Sequence, residues 1–314
     1  MSSKINLLVT SSGDKSALIN NLHKNLKLQN INLFVGDYNE NVSTSLLDYD
    51  FLKLPKIPND ASVIDNFLSK HNINFIIPTR DPELLFWSKF DEIYHPKYKI
   101  IISNLQNLTI AEDKLIFSET LQKHGHSAIQ TYNNFTDKLP SKFVVKERIP
   151  TGNNKTKVFY KNVFSKNLIA EYDNPIFQPF IEGDEISIDA YGSFNSENIF
   201  LICRYRTHIQ NGESFVTKTF SNPAIEKQAY EILSILNLKG PIMLQGILDR
   251  KGRVHWMECN PRFGGASNCG IHMGLDVWNW SINEKLDNLF VPTFRKNPKE
   301  ITMYKSIQDN FLEQ

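Results

Sequence analysis

The residues best equipped for chemistry lie in one stretch, residues 240–265. Residues 242–249 read as a strand, Arg250-Lys251-Gly252 as a turn and residues 253–259 as the return strand of a β-hairpin. Strand side chains alternate between faces, so Glu258 and Asn260 share one face. With the hairpin closing at Arg250-Lys251, Gln245 is predicted opposite Trp256 on that face and diagonal to Glu258, about 7–8 Å away at Cα. A carboxylate and two amide oxygens across such a gap suit one hard cation. Mg²⁺ fits, because it keeps waters and takes phosphate oxygens as further ligands, and Mn²⁺ is compatible with the same set. The turn Asn260-Pro261-Arg262-Phe263-Gly264-Gly265 then presents Arg262 beside the metal. A plain core hairpin accounts for Ile247, Val254 and Met257, but not for three oxygen-bearing side chains converging on one face.

The elements that must position these residues follow from pattern. The chain has 314 residues, enough for a sizeable core in about two or three subdomains. A net charge of +1 gives no bulk field toward nucleic acid or membrane, and neither partner is expected. Cys203, Cys259 and Cys269 are too scattered for a disulfide framework or a zinc site, so a reducing cytoplasm is the natural compartment. Up to about residue 104 the pattern alternates: strands over 5–10, 31–35, 73–78 and 99–103, helices over 15–27, 61–71 and 82–90. That argues a parallel sheet with helices on both faces. Polar strand ends at Ser11-Ser12-Gly13-Asp14 and Thr79-Arg80-Asp81 are either turn chemistry or a substrate-facing edge. No GxGxxG marks a dinucleotide site.

Thr109-Ile110-Ala111-Glu112 has capping-box spacing and predicts a helix to His124. Lys114 in its first turn opposes the helix dipole, which suits a lysine aimed at phosphate, although a solvated lysine explains it too. Residues 126–183 read as a small α+β lid. Lys146 ends an apolar strand and needs an anion or an exit to water. The loop 150–155 could offer backbone N–H groups to phosphate. Residues 176–185 read as an apolar hinge able to pair with adenine, or as a plain strand-turn-strand. Three antiparallel strands follow over 185–193, 198–207 and 214–220. On the middle one Arg204, Arg206 and His208 share a face by period two, as an anion site or a solvated face. A helix over 222–236 precedes the hairpin. Beyond it, Asn268 and His272 could face an acceptor, Asp276 caps a helix over 277–286, Trp278 and Trp280 pack, and residues 287–314 are expected to be peripheral.

The ending from Gln245 to Gly265 resembles the signature of the ATP-grasp ligases, closest to carbamoyl-phosphate-synthetase large-subunit-like members with their Q-G-x-x-D…G…E-x-N-P-R-F-G-G pattern. The resemblance reaches from the N-terminal region to about residue 290. It implies an α/β and α+β architecture: a Rossmann-like domain over 1–104, a linking helix and lid over 105–183, and a C-terminal ATP-grasp subdomain with the metal site over 184–314. It implies ATP and Mg²⁺, with Gln245, Glu258 and Asn260 as metal ligands. Lys114 and Lys146 would reach the phosphates, while Gln178, Pro179, Phe180 and Ile181 would line the adenine hinge and Glu185 would hold ribose. Arg262, Lys146 and Arg206 would act in catalysis. The loop at 150–155 departs from the family's Gly-Ser-rich version and keeps only Gly152. The implied activity joins a small-molecule carboxylate to an amine through an acyl phosphate. A kinase on the same scaffold and a non-catalytic nucleotide-binding module are the alternatives, and a homodimer is compatible with either.

Overall fold

The computed structural model describes residues 5–25, 31–149, 155–210 and 212–306. Three sheets organise them. The first is parallel, in the order β3-β2-β1-β4-β5. It is built from β1 (Ile5–Thr10), α1 (Ser16–Asn25), β2 (Ile31–Asp37), β3 (Asp50–Lys53), α2 (Ala61–Lys70), β4 (Phe75–Pro78), α3 (Asp81–Tyr94) and β5 (Lys99–Ile100). The expected alternation is present, with two differences. β3 is an added edge strand, short and too polar at its ends (Asp50, Lys53) to announce itself. The fifth strand stops at Ile100 rather than 103.

The capping box at Thr109 does not form. α4 (Leu105–Glu112) ends there, and α5 (Lys114–Lys123) starts afresh. Thr109 Oγ1 donates back to Leu105 O inside α4. The cap is Asp113, whose carboxylate accepts from Leu115 N and Ile116 N. An aspartate directly before the turn outcompetes a threonine that already lies inside a helix.

The lid sheet, ordered β7-β6-β8, comprises β6 (Lys142–Glu147), β7 (Thr156–Tyr160) and β8 (Pro175–Pro179). Its core of Leu139, Phe143, Val145, Tyr172 and Phe177 is separate from the rest. Of the phosphate loop expected at 150–155, all but Lys155 lies outside the described residues.

The third sheet is antiparallel, ordered β13-β12-β9-β10-β11-β14. It contains β9 (Gly183–Gly192), β10 (Ile199–Gln210), β11 (Glu213–Phe220), α6 (Pro223–Leu236), β12 (Gly240–Asp249), β13 (Val254–Asn260), α7 (Ser267–His272), α8 (Val277–Leu286) and β14 (Thr302–Tyr304). The C-terminal stretch is not merely peripheral, because β14 extends the sheet along β11. Asp276 stands at the N-cap of α8 but makes no capping hydrogen bond. One apolar cluster runs from Leu8 and Ile76 of the parallel sheet through Trp87 and Leu108 to Ile232, Leu244 and Trp256. The parallel and antiparallel sheets are therefore joined by shared core, and the lid is not. Among the described residues no helix is long and apolar enough to cross a membrane.

The lid connects to β9 through Gly183, where backbones meet closely. A Cβ there would stand 2.3 Å from Leu248 O. Gly183→Ala should therefore force β9 and β12 apart. A loss of about 1–3 kcal/mol in unfolding free energy is expected, read by urea denaturation. An unchanged midpoint would show that the strands give way freely.

Candidate active site

The hairpin is closed by Asp249, which accepts from Lys251 N and Arg253 N and contacts His255 Nε2 at 2.9 Å. Its register differs from the simple expectation. Gly246 pairs with Trp256, yet Gln245 pairs with Glu258. Met257 is the extra residue of a β-bulge, and a bulge inverts the alternation beyond it. Trp256 accordingly turns into the core with Leu244. It packs over Gly246, where a Cβ would lie 3.2 Å from the indole. Glu258 and Asn260 emerge on the opposite face, and Gln245 stands directly across from Glu258 rather than diagonal to it. The convergence of the three is tighter than strict alternation allows.

Gln245 and Asn260 are buried. Asn260 Nδ2 donates to Gln245 Oε1 at 3.0 Å. With its amide turned over, Gln245 would donate to Glu258 Oε1 at 2.9 Å and accept from Arg206 Nη1 at 2.9 Å. Two lysines meet the Glu258 carboxylate: Lys146 Nζ at 3.6 Å and Lys114 Nζ at 4.0 Å. Lys146 arrives on β6 and Lys114 at the first position of α5. A short seam brings them together. Arg148, just beyond β6, donates from Nε to both oxygens of Asp113 at 2.9 and 2.8 Å, and Lys114 N donates to Arg148 O. Asp113 thus caps α5 and ties it to the lid strand.

The electrostatics follow from burial. Desolvation pulls the Lys146 ammonium down to about 8, against the opposing pull of Glu258. Burial acts to raise Glu258, but Lys146, Lys114 and Arg206 overcome it and hold the carboxylate at about 2. A carboxylate that remains ionised among cations is where a divalent ion and phosphates can exchange places with lysine contacts.

Arg206 is partly buried, donating to Glu185 Oε2 at 2.6 Å and to Ser214 Oγ at 3.0 Å. Arg204 does not join it in an open anion pocket. It is buried and bound bidentately by Asp189, at 2.8 and 3.0 Å. A register shift after Arg206 breaks the period-two face, and His208 is exposed. Gln178 is buried and donates to Thr131 Oγ1 at 2.8 Å. Phe180 lies under the Lys142 ammonium, 3.5 Å from ring centroid to Nζ. Pro179 ends β8, and Phe180-Ile181 bridge to β9.

Arg262 is partly buried and bound bidentately to Asp81, the first residue of α3, while Nη1 donates to Phe263 O at 2.9 Å. Phe263 stacks on Trp278 at 3.7 Å, which fixes the turn that carries Arg262. Trp278 and Trp280 are buried, as packing requires. His272 is exposed, and Asn268 donates to Ala17 O at 3.1 Å. Sequence reasoning missed Asp81 as the partner of Arg262 and Asp113 as the organiser of Lys114. The Asp-Lys sequence directly after an apolar helical run was the available signal for the second.

Residues 171–309 match a family model described as ATP-grasp in the biosynthetic pathway with Ter operon. The sequence matches no curated protein. Several solved structures are similar in fold. The biotin carboxylase domain of Hydrogenobacter thermophilus 2-oxoglutarate carboxylase, in complex with MgADP, superposes with TM-score 0.71 at 15% identity, covering 93% of this chain and 72% of that one. L-amino acid ligase from Bacillus licheniformis gives 0.73 at 16%, covering 91% and 75%. N5-carboxyaminoimidazole synthetase from Staphylococcus aureus, complexed with ADP, gives 0.73 at 15%, covering 96% and 83%.

Because Glu258 is the main anion opposing the desolvation of Lys146, Glu258→Gln should lower the Lys146 pKa further, by at least about one unit. Titration of the lysine ¹³Cε resonances measures this, and an unmoved Lys146 would refute the coupling. In the wild type, the folded chain binds fewer protons at Lys146 than the unfolded chain between about 8 and 10.5. This group's contribution to stability therefore rises with pH across that window.

Proposed function

We propose that this chain, an ATP-grasp protein by its fold and by the match over residues 171–309, is an ATP-dependent carboxylate–amine ligase working through an acyl phosphate. One observation carries the reading: Glu258 lies between Lys114 and Lys146 with Gln245 and Asn260 beside it. Cations and hard oxygen donors thus meet at one point, as phosphoryl transfer needs. The L-amino acid ligase likeness supports an amide-forming outcome. Assignment to carbamoyl-phosphate-synthetase-like members rests on the ending from Gln245 to Gly265.

The donor set fits Mg²⁺ only in part. Gln245, Glu258 and Asn260 offer oxygen, but a single full charge. Among the described residues no three His, Cys, Asp or Glu side chains gather to hold a metal. Nucleotide phosphate oxygens must complete the shell. Bound there, the ion would screen phosphate charge and orient the terminal phosphoryl group.

The chain's own residues would do the rest. Lys114 and Lys146 turn from Glu258 to the phosphates. Pro179, Phe180 and Ile181 line the adenine, with Gln178 held by Thr131 as the wall of the hinge. Glu185 meets the ribose through the oxygen that Arg206 leaves free. Arg206 faces the phosphates from beside Gln245, and Arg262 meets charge developing in transfer. The substrate carboxylate oxygen attacks the γ-phosphorus, the bond to the bridging oxygen breaks, and ADP leaves. The amine nitrogen then attacks the acyl carbon, the C–O bond to phosphate breaks, and the amine proton passes to solvent or phosphate. No protein nucleophile is required, and positioning and electrostatics supply the barrier reduction.

A hydroxylamine trap across a panel of carboxylic acids with Mg·ATP tests the reading. A hydroxamate from one acid is expected, whereas a stable phosphorylated product would establish the kinase instead. Glu258→Gln should reduce turnover by about a hundredfold or more while the fold persists. Near wild-type turnover at limiting Mg²⁺ would remove Glu258 from the site. Calorimetry should find Mg²⁺ binding weak without nucleotide and strong with it. Tight binding to the free protein would contradict the donor set.

A further inference from the structure

Lys146 and Lys114 reach the same carboxylate from two separately packed parts of the chain. Lys146 stands on β6, whose Phe143 and Val145 belong to the lid core. Lys114 opens α5, whose Phe117 and Leu121 belong to the core shared by the two larger sheets. Neither core fixes the other, so the spacing of the two ammonium groups has to be set by contacts between the parts.

Arg148 makes such contacts two residues beyond Lys146. A helix begins with N–H groups that have no partner within it. In α5, Lys114 N donates to Arg148 O at 3.1 Å, while Leu115 N and Ile116 N donate to Asp113 Oδ1 at 3.0 and 3.1 Å. The Arg148 guanidinium closes on the same carboxylate. Its Nε stands 2.9 and 2.8 Å from the two oxygens, and Nη2 2.8 Å from Oδ2. Arg148 therefore completes the start of α5 with its carbonyl and holds the cap with its side chain. The Asp113 side chain is only 9% exposed, so the pair escapes most of the screening that leaves surface ion pairs weak. Arg148 is itself fixed on the lid side. Its N–H donates to Asn174 O at 2.9 Å, and the neighbouring Glu147 carboxylate accepts from Asp173 N and Asn174 N, each at 3.0 Å. A continuous set of hydrogen bonds thus runs from the entry of β8, past the end of β6, to the residue before Lys114. A lysine that opens a helix needs such a hold, because the helix dipole disfavours a cation there.

We propose that Arg148 is a positioning residue: through Asp113 it sets Lys114 in register with Lys146, so that the two ammonium groups act as one clamp on a polyphosphate chain. Naming that ligand rests on the proposed function, which turns both lysines to the phosphates of ATP. It does not rest on the acid, the amine or the acyl phosphate.

Equilibrium dialysis of the full chain with Mg·ATP and, separately, with AMP is the test. AMP offers the same base but no chain long enough to span both lysines. Arg148→Gln should weaken Mg·ATP about tenfold or more and leave AMP within about twofold. Arg148→Lys keeps the charge but not the planar fork, and should lose a smaller part of the ATP affinity. Asp113→Asn keeps an oxygen for the cap and should also lose ATP affinity. Combined with Arg148→Gln it should cost little beyond either change alone, because both remove one link. Equal losses for ATP and AMP would mark a general loss of structure, and unchanged ATP affinity in Arg148→Gln would remove the link; either overturns the proposal. If Arg148→Gln does not fold, Arg148→Lys and Asp113→Asn decide by the same comparison. A wild type that holds Mg·ATP no better than AMP would overturn the proposal together with the phosphate role of both lysines. Failure of the ligase reading looks different: no acid yields a hydroxamate, yet Arg148→Gln still separates ATP from AMP.

Discussion

Glu258 must stay ionised in a place that burial makes hostile to charge. Burial alone would raise its pKa, and cations supplied by separate parts of the chain, with a hydrogen bond from Asn260, reverse that. Lys146 comes from the lid, Lys114 from the helix that follows α4, and Arg206 from the antiparallel sheet. The bulge at Met257 decides that the carboxylate faces them at all. Without the extra residue, Trp256 and Glu258 would share a face, and the hairpin would place an indole in the site or a carboxylate in the core. One irregularity in pairing therefore satisfies both the core and the chemistry.

The same dependence shapes the architecture around the site. A shared apolar cluster makes one body of the parallel and antiparallel sheets, while the lid keeps its own aromatic core. The lid meets that body where Arg148 binds Asp113, where Ile129 N donates to Trp256 O and Trp256 N to Ser127 O, and in the passage through Gly183. Motion concentrates where packing is thin and hydrogen bonds are few, so the lid is the part that the proposed nucleotide binding would move. Arg262 sits in the opposite regime. Its turn is clamped by Phe263 on Trp278, and its guanidinium by Asp81 across the seam. On the proposed reading Arg262 meets developing charge, and such a residue gains from being fixed in advance.

Local pattern determined much of this protein by itself. Apolar runs and their punctuation gave the alternating parallel sheet, the lid strand that carries Lys146, three strands of the antiparallel sheet and the hairpin, because burial periodicity is written residue by residue. The oxygen donors Gln245, Glu258 and Asn260 and the embedded lysine at 146 were legible for the same reason: each is a polar residue at odds with its apolar neighbours. Tertiary structure alone decided how those residues are partnered. Arg204 and Arg206 look equivalent on their strand, yet Asp189 on β9 neutralises one and Glu185 holds the other. Thr109 had the spacing of a cap, but Asp113 took the role once Arg148 pinned it from another sheet. Arg262 found Asp81 across 181 residues of chain. Such pairings follow from which surfaces meet when the core closes, and an ion pair or a bulge leaves no periodic trace in the sequence around it.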